Sequence, residues 1–544
     1  MTDAAATCWP KAAGWCQALP RPSLWLLAIF AGGLIALGQT PFGFWPGVVL
    51  GGIILFWLWL GSEGRPGTQF MTGLLAGTGH FALALHWIIE PFLVDAGETG
   101  WMAPFALILL AVGLGLFWGL GFMIGGLMLR WRGGSSVRGG LAAALCLALG
   151  LSGGEFARSY VLTGFPWALS AYVWTDTPMA QSASMLGPYG LTLLTWVIAF
   201  LPGAALGPGL RRAIPVGVAA ITLLCGWTWG TARVAPAVAA DDRPTVRIVQ
   251  TNVDQRVKWS AENIRPNFEM LTTLSTTPAP RMPEIVIWPE TAVTFPLDAA
   301  PDAITALTGL LQSDLDGGAI LTGSLRNNAG PDAEFGLETR WRNSLFIIQS
   351  DGSLSAPYDK MHLVPFGEYM PFGDLLTSLN IRGLAGRGAG IVPGEASVVY
   401  NPPGLPPLAA LICYEMIFAR ETARAATGAD WLVLITNDAW FGDWAGPLQH
   451  LAMAQMRAIE LGLPVARSAN AGKSALIDPY GRLQAPLAVR EQGIIDGVLP
   501  DSLATTLYRE HGDRVTTMIF LAFLLIATLG RGSTTGTCNR PQTD

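Results

Sequence analysis

Three stretches place reactive side chains at the ends of apolar runs. Ile285-Val286-Ile287-Trp288-Pro289-Glu290-Thr291 is a row of aliphatics that stops at a proline and leaves Glu290 where a strand would end. Leu408-Ala409-Ala410-Leu411-Ile412-Cys413-Tyr414-Glu415 ends the same way in a thiol, with helical spacing from Ile417 onward. Between them, Lys360 opens the mixed aromatic segment Tyr358–Tyr369 after an Asp351-Gly352 turn. Open sheets bind ligands outside the carboxyl ends of their strands, which makes Glu290 and Cys413 candidates for chemistry. A thiol at a strand-to-helix turn is expected beside a helix N-terminus, where the dipole and free N–H groups favour thiolate and oxyanion. Each residue also has a plainer reading. Glu290 would serve as a cap or surface acid, Lys360 as a solvated charge, and Cys413 as an inert buried thiol.

The cysteines narrow the choice. There are six, at 8, 16, 146, 225, 413 and 538. Only Cys413 lies in the polar region from about 240 to 510, so that region forms no internal disulfide. Cys146 and Cys225 lie in apolar runs, where a thiol behaves as a small hydrophobe. No pair has metal-binding spacing. His362, His450 and His511 lack ligand-like spacing and are read as structural. No metal or cofactor is expected.

The elements that position these residues belong to two kinds of sequence. The chain is 51% hydrophobic and only 13% charged, with 21 tryptophans. Soluble proteins carry about 25% charge, so membrane insertion explains the balance better than a large core. Mean hydropathy is +0.41. The net charge of -6 and the absence of a basic tract exclude a nucleic-acid partner. Apolar stretches near 22–39, 44–61, 69–89, 101–128, 139–157, 187–207, 212–230 and 516–530 approach the ~20 residues that cross a bilayer. Lys11, Arg21, Arg65, Arg130, Arg132, Arg138, Arg211, Arg212 and Arg531 fall on one face of an alternating chain, with Arg158 as the exception. Positive charge marks the cytoplasmic side. Three parts follow: 1–240 with seven spans, 241–510 outside the cytoplasm, and 511–544 with an eighth span and a cytoplasmic tail. The first span lacks a small-residue cleavage site and is expected to remain as an anchor.

The 241–510 region reads as α/β. Runs at Val246–Val253, Glu284–Trp288, Ala319–Leu325, Ser344–Gln349, Leu408–Cys413, Trp431–Thr436, Pro464–Ser468 and Ser474–Ile477 suit strands. Asn263–Leu274, Ala303–Leu311, Ile417–Thr427 and Gly446–Leu461 have helical spacing. Strands buried on both faces with helices outside fit this pattern.

In order along the chain, Trp288-Pro289-Glu290, Lys360 and Cys413-Tyr414-Glu415 resemble the Glu–Lys–Cys triad of the nitrilase superfamily. With eight spans and the segment Val364-Pro365-Phe366-Gly367-Glu368-Tyr369, nearly the whole chain resembles the apolipoprotein N-acyltransferases. The resemblance implies a nitrilase-like αββα sandwich joined to about eight transmembrane helices in a bacterial inner membrane. The catalytic part would face the periplasm, with both termini cytoplasmic. It implies that Glu290 is the general base, that Lys360 stabilises the anionic intermediate, and that Cys413 is the nucleophile. The donor would be a phospholipid such as phosphatidylethanolamine, and the acceptor the N-terminal amine of a diacylglyceryl-modified apolipoprotein. Acyl transfer would pass through a Cys413 thioester with ping-pong kinetics, in a monomer without cofactor. Glu368 resembles a supporting glutamate and Trp259 a tryptophan that shapes the site, while Tyr414 and Glu415 match the family pattern. Two segments look like gates: Arg382–Gly390, rich in glycine, and Trp440–Pro447, where Trp440 and Trp444 would touch acyl chains.

Two rivals remain at this stage. A membrane-anchored amidase would use the same triad but give the acyl group to water, although one span would suffice to anchor it. A transporter with a degenerate soluble domain sits poorly with the few charges in the spans.

Overall fold

Twelve short strands carry the polar half of the chain. They are β1 (Thr245–Gln250), β2 (Ile285–Ile287), β3 (Ala319–Asn327), β4 (Trp341–Gln349), β5 (Tyr358–Asp359), β6 (Val399–Tyr400), β7 (Leu408–Ile412), β8 (Trp431–Asn437), β9 (Val465–Asn470), β10 (Ala475–Ile477), β11 (Leu483–Gln484) and β12 (Gly493–Val498). The computed structural model describes residues 19–528 apart from 63, 133–136, 206–212, 237–242, 316, 331–339 and 372–389. The expected gate at Arg382–Gly390 falls outside the described residues except for Gly390.

The strands form two six-stranded sheets, ordered β12-β1-β2-β3-β4-β5 and β11-β10-β9-β8-β7-β6. Each has a parallel centre, β1-β2-β3 in one and β7-β8-β9 in the other. Antiparallel strands flank both centres. Side chains alternate along a strand, so each sheet has two faces. Val246, Ile248, Ile285, Ile287, Leu321 and Leu345 from one sheet meet Leu408, Ala410, Ile412, Val433 and Ile435 from the other. The residues between them face outward. Val286, Ile320 and Phe346 pack on Leu271, Leu307 and Leu311 of helices Ala261–Ser275 and Pro301–Ser313. Leu411, Leu432 and Leu434 pack on Ala423, Ala454 and Ala458 of helices Ala419–Ala425 and Ala445–Leu461. The result is a helix–sheet–sheet–helix sandwich.

Several details depart from the sequence reading, and the two-residue strands β5, β6 and β11 are among them, too short to leave a pattern. β12 was not anticipated, because Gly493 and Gly497 interrupt its apolar pattern; it pairs antiparallel with β1 from Thr245↔Val498 onward. No α-helix starts at the cysteine. Cys413–Ile417 is a 3-10 turn, and the α-helix begins at Ala419. Cys413 therefore does not sit on the N-terminus of a long helix dipole.

Helices Arg21–Ala36, Pro46–Gly61, Pro66–Ala84, Ala103–Arg132, Val137–Arg158, Ala183–Phe200, Ala213–Arg233 and Asp513–Thr528 match the eight expected apolar stretches. Among the described residues, four helical segments are long and apolar enough to cross a membrane: Ala96–Trp131, Gly140–Arg158, Pro178–Ala204 and Ala213–Arg233. Pro66–Ala84 with His86–Leu93 makes a fifth, bent by 66°. Leu26, Leu109, Ile221, Leu224 and Leu521 point outward on these helices and are exposed, as suits contact with lipid. Where Ala103–Arg132 crosses Val137–Arg158, a Cβ on Gly150 would come within 2.2 Å of the Gly121 carbonyl oxygen. Small residues at such crossings let the backbones approach closely.

The sandwich is seated directly on the helices. Tyr414, Ile417, Phe418, Met453 and Met456 share one apolar cluster with Trp87, Trp167 and Tyr172. Gln449 clasps the two parts. Its amide oxygen accepts from Trp87 Nε1 (3.0 Å) and Trp167 Nε1 (2.8 Å), and its nitrogen donates to the Thr40 and Ala84 carbonyls (2.9 Å each).

Candidate functional site

Glu290 is set just beyond β2 by a close backbone approach. Trp288 N donates to Leu321 O (2.8 Å) and Val293 N to Gly323 O (3.2 Å), which ties the segment to β3. A Cβ on Gly323 would lie 2.5 Å from Thr291 N and 2.9 Å from Glu290 Cα, so only glycine admits the turn. The buried carboxylate is held from three sides. Oε1 accepts from Asn343 Nδ2 (2.7 Å) and pairs with Lys360 Nζ (3.4 Å), and Oε2 accepts from Asn437 N (2.8 Å).

Lys360 follows β5 and is almost wholly buried, at 1% exposure. Its Nζ lies 2.9 Å from Glu368 Oε1, closer than to Glu290. Asn343 Nδ2 also reaches Glu368 Oε1 at 3.3 Å, and Glu368 Oε2 accepts from Val364 N at 2.8 Å. Burial alone would lower the Lys360 pKa. The carboxylates of Glu368 and Glu290 more than offset it and hold the ammonium well above its ordinary value. The side chain is therefore a permanent cation at neutral pH.

Cys413 directly follows β7 with φ +52°, a left-handed conformation that costs a non-glycine residue about 1–2 kcal/mol. Burial pushes its thiol up, the Glu290 charge adds to the rise, and Lys360 opposes it. The sulfur is thus a thiol at neutral pH, as the reading of Glu290 as its base requires, and the turn after it supplies no long helix dipole to lower it. It needs a base to become a nucleophile. The three candidates Glu290, Lys360 and Cys413 converge at the ends of β2, β5 and β7, near enough for each charge to influence the others.

Glu415 braces this constellation. Its Oε1 accepts from Tyr358 OH (2.8 Å), Met361 N (2.7 Å) and His362 N (3.3 Å), and its Oε2 accepts from Ile412 N (2.7 Å). One buried carboxylate thereby ties the lysine segment to the cysteine strand. Burial pushes the Glu415 carboxyl up, while the N–H and O–H donors pull it back. Tyr414 is buried against the helical region, its hydroxyl 3.5 Å from Gly164 O. Trp259 is partly exposed, with Lys258 Nζ 5.7 Å over its ring. Trp440 and Trp444 are also exposed, and Trp444 packs edge-on against Phe42 (5.3 Å) and near His86 (5.4 Å). Among the described residues, none of these three tryptophans bonds to the side chains of Glu290, Lys360 or Cys413.

Several residues went unnoticed in the sequence. Asn343 and Asn437 orient Glu290 from β4 and β8. Lys258 is buried beneath it, donating to Glu290 O (3.1 Å) and Thr291 Oγ1 (2.7 Å). Burial lowers Lys258 to about 8, against the pull of the Glu290 charge. It pins Thr291, whose φ is +45°. Behind Cys413 lies a second buried group, Asp438, Arg467 and His450, of which the sequence reading names only His450, as structural. The only signal for these was a polar residue inside an apolar run, which many strand ends share. Among the described residues no group of His, Cys, Asp and Glu could hold a metal ion.

Comparison with known proteins completes the description. Residues 31–201 match the family model for the apolipoprotein N-acyltransferase N-terminal domain, and residues 245–507 match that for carbon-nitrogen hydrolases. The apolipoprotein N-acyltransferase of Allorhizobium ampelinum is 36% identical over 535 residues, covering 95% of this chain and 97% of the relative. The protein of the same name from Rhodopseudomonas palustris is 37% identical over 521 residues, covering 93% and 94%. That of Brucella melitensis is 34% identical over 524 residues, covering 93% and 95%. Among solved structures, an amidase of the nitrilase superfamily from Nesterenkonia sp. AN1 is 18% identical, with a TM-score of 0.36. The alignment covers 52% of this chain and 99% of the amidase.

Proposed function

The chain belongs to the apolipoprotein N-acyltransferase family, and from that premise we propose that it moves an acyl chain from a phospholipid to the N-terminal amine of a diacylglyceryl-modified apolipoprotein by way of Cys413. Lipoprotein maturation is thereby completed at a membrane. The observation that carries the catalytic part is the buried Lys360 ammonium, shared between Glu290 (3.4 Å) and Glu368 (2.9 Å) beside the Cys413 turn.

In the first half-reaction Glu290 takes the Cys413 proton and the thiolate attacks the ester carbonyl of the donor. The C=O electron pair becomes an oxyanion, which Lys360 stabilises as a fixed cation in a site that admits little water. The C–O bond to the glycerol oxygen then breaks, and Glu290 returns the proton to it. Lysophospholipid leaves, and a thioester remains on Cys413. In the second half the neutral amine attacks the thioester, Lys360 again meets the oxyanion, and the C–S bond breaks. Glu290 takes the surplus amine proton and hands it to the departing sulfur. Atoms and charge balance without cofactor or metal. Glu368 and Glu415 hold Lys360 and its segment in place, and Trp259, Trp440 and Trp444 line the approach of the lipids.

We place parts 1–240, 241–510 and 511–544 as a seven-span membrane region, a periplasmic catalytic region and an eighth span with a cytoplasmic tail. Eight crossings of an inner membrane, with both termini in the cytoplasm and a monomer as the working unit, agree with the arginine asymmetry. Phosphatidylethanolamine is the proposed donor. The deciding experiment incubates detergent-purified protein with phosphatidylethanolamine labelled in its acyl chain, then adds a diacylglyceryl lipopeptide. Label on Cys413 that passes to the peptide amine is expected. Label released only as free fatty acid would make the protein a hydrolase instead.

A further inference from the structure

The carbonyl oxygen of Cys413 lies 3.2 Å from His450 Nε2. A carbonyl only accepts, so Nε2 is the donor. On the other side of the ring, Nδ1 meets Asp438 Oδ1 at 3.0 Å and Arg467 Nη2 at 3.1 Å. Arg467 Nη2 also donates to Asp438 Oδ2 at 2.6 Å. All three side chains are fully buried. Thr436 Oγ1 closes the group by donating to Asp438 Oδ1 at 2.9 Å. Polar groups so deep in a protein are costly unless paired; these pair mainly with one another, Arg467 Nη1 also donates to Lys473 O (2.6 Å), and the bond that reaches the strained nucleophile residue is the one from His450 to its backbone carbonyl.

The ring of His450 is held by one aromatic from each half of the chain. Trp167 stacks on it with centroids 5.6 Å apart and planes 26° apart, and Phe441 meets it edge-on at 5.7 Å. Trp167 is itself fixed by its bond to Gln449, the residue next to His450 on the same helix.

We propose that His450 is a positioning residue, which holds Cys413 in its left-handed conformation through the backbone carbonyl, and that Trp167 extends this control to the membrane helices. The helical region then does more than anchor the sandwich; its packing sets the angle from which the sulfur attacks. The inference rests on Cys413 being the nucleophile of the proposed reaction.

The test reads the sulfur itself and needs no lipid, so it fails separately from the assignment of donor and acceptor. Detergent-purified protein is treated with iodoacetamide, and the alkylation rate of Cys413 is followed by peptide mass alongside thermal stability. His450→Leu should slow alkylation about tenfold or more, since small misplacements of a reacting group carry large rate penalties. His450→Gln keeps a donor near Nε2 and should recover most of the rate. Trp167→Leu should slow alkylation in the same sense with the protein still folded. Alkylation of His450→Leu at the parental rate would overturn the proposal, as would His450→Gln reacting no faster than His450→Leu. Should His450→Leu fail to fold, Trp167→Leu decides: a parental rate in that variant overturns the proposal, and a slowed rate sustains it.

Discussion

Lys360 sits nearer to Glu368 than to Glu290, 2.9 Å against 3.4 Å. The tighter partner of the ammonium is thus not the residue assigned as base. In the proposed reaction Glu368 draws the cation aside, so that Glu290 can accept a proton while the cation stays close to the developing oxyanion. Glu368→Gln removes that draw and lets Lys360 pair fully with Glu290. Thioester formation should slow about tenfold to a hundredfold, with the pH–rate profile moved. A burst assay with labelled phospholipid measures it, and an unchanged burst rate would refute the role.

Glu415 serves four donors with two oxygens. Glu415→Gln leaves one oxygen and adds two N–H groups that face donors. Each buried donor left unpaired costs about 1–3 kcal/mol, so thermal stability should fall by that order. Acyl transfer should fall with it, because Lys360 and Cys413 lose their common brace. A melting curve that matches the parent would remove the brace from the account.

Asp438 is shifted down to about 2: burial works to raise it, and the charges of Arg467 and His450 win. A carboxylate with a depressed folded pKa adds stability that is fully present above its unfolded value near 4 and is lost as pH falls toward 2. The window is therefore pH 4 to 2, and the loss on the order of 2 kcal/mol. Denaturation followed across that window should show it. In Asp438→Asn the same window should be flatter, with lower stability at neutral pH.

Lys258 gives the same slope at the alkaline end, where rising pH relieves a cost instead of restoring a gain. Burial lowers it to about 8 from an ordinary 10.5. Below pH 8 the folded protein bears the full cost of a buried charge. That cost is relieved as pH rises from 8 to about 10.5, by roughly 3 kcal/mol in all. The difference in stability between the parent and Lys258→Met should change across this window and level off above it. Activity should drop in the variant, since Thr291 and the Glu290 carbonyl lose their donor. A pH-independent difference would show that Lys258 does not titrate there.

Trp440 and Trp444 project into solvent beside the helical region, where Trp444 meets Phe42. Replacing both by alanine should raise KM several-fold for long-chain donors and less for short-chain ones, because lost apolar contact weakens binding by about 25 cal/mol per Å². Equal KM values for the two chain lengths would sink the assignment.

Much of this site was legible before any coordinates. Val286 and Ile287 alternate between the two faces of their sheet, and a proline then stops the strand at Glu290. Cys413 was marked by being the one thiol in the polar half. Glu368 came through resemblance and takes its place at the ammonium. What stayed hidden depends on folding distant segments together. Nothing local distinguishes Asn343 or Asn437 from ordinary polar strand residues: the sheet order brings the Asn343 amide to Glu290, and the packing of the second sheet on the first brings the Asn437 backbone N–H. His450 looked structural because its partner is a backbone carbonyl 37 positions away. The turn after Cys413 misled because helical spacing in a sequence does not mark where a 3-10 turn gives way to an α-helix.

The saturated amide of Gln449 bears on how two bulky lipids take turns at one sulfur. Its four partners all come from the other half of the chain: two indoles and two main-chain oxygens. Swinging the halves apart like a jaw would strand them together, at roughly 1–3 kcal/mol apiece. A rigid hinge between anchor and enzyme is therefore a poor way to exchange donor for acceptor. Donor and acceptor must instead reach the sulfur while this seam between the halves stays shut.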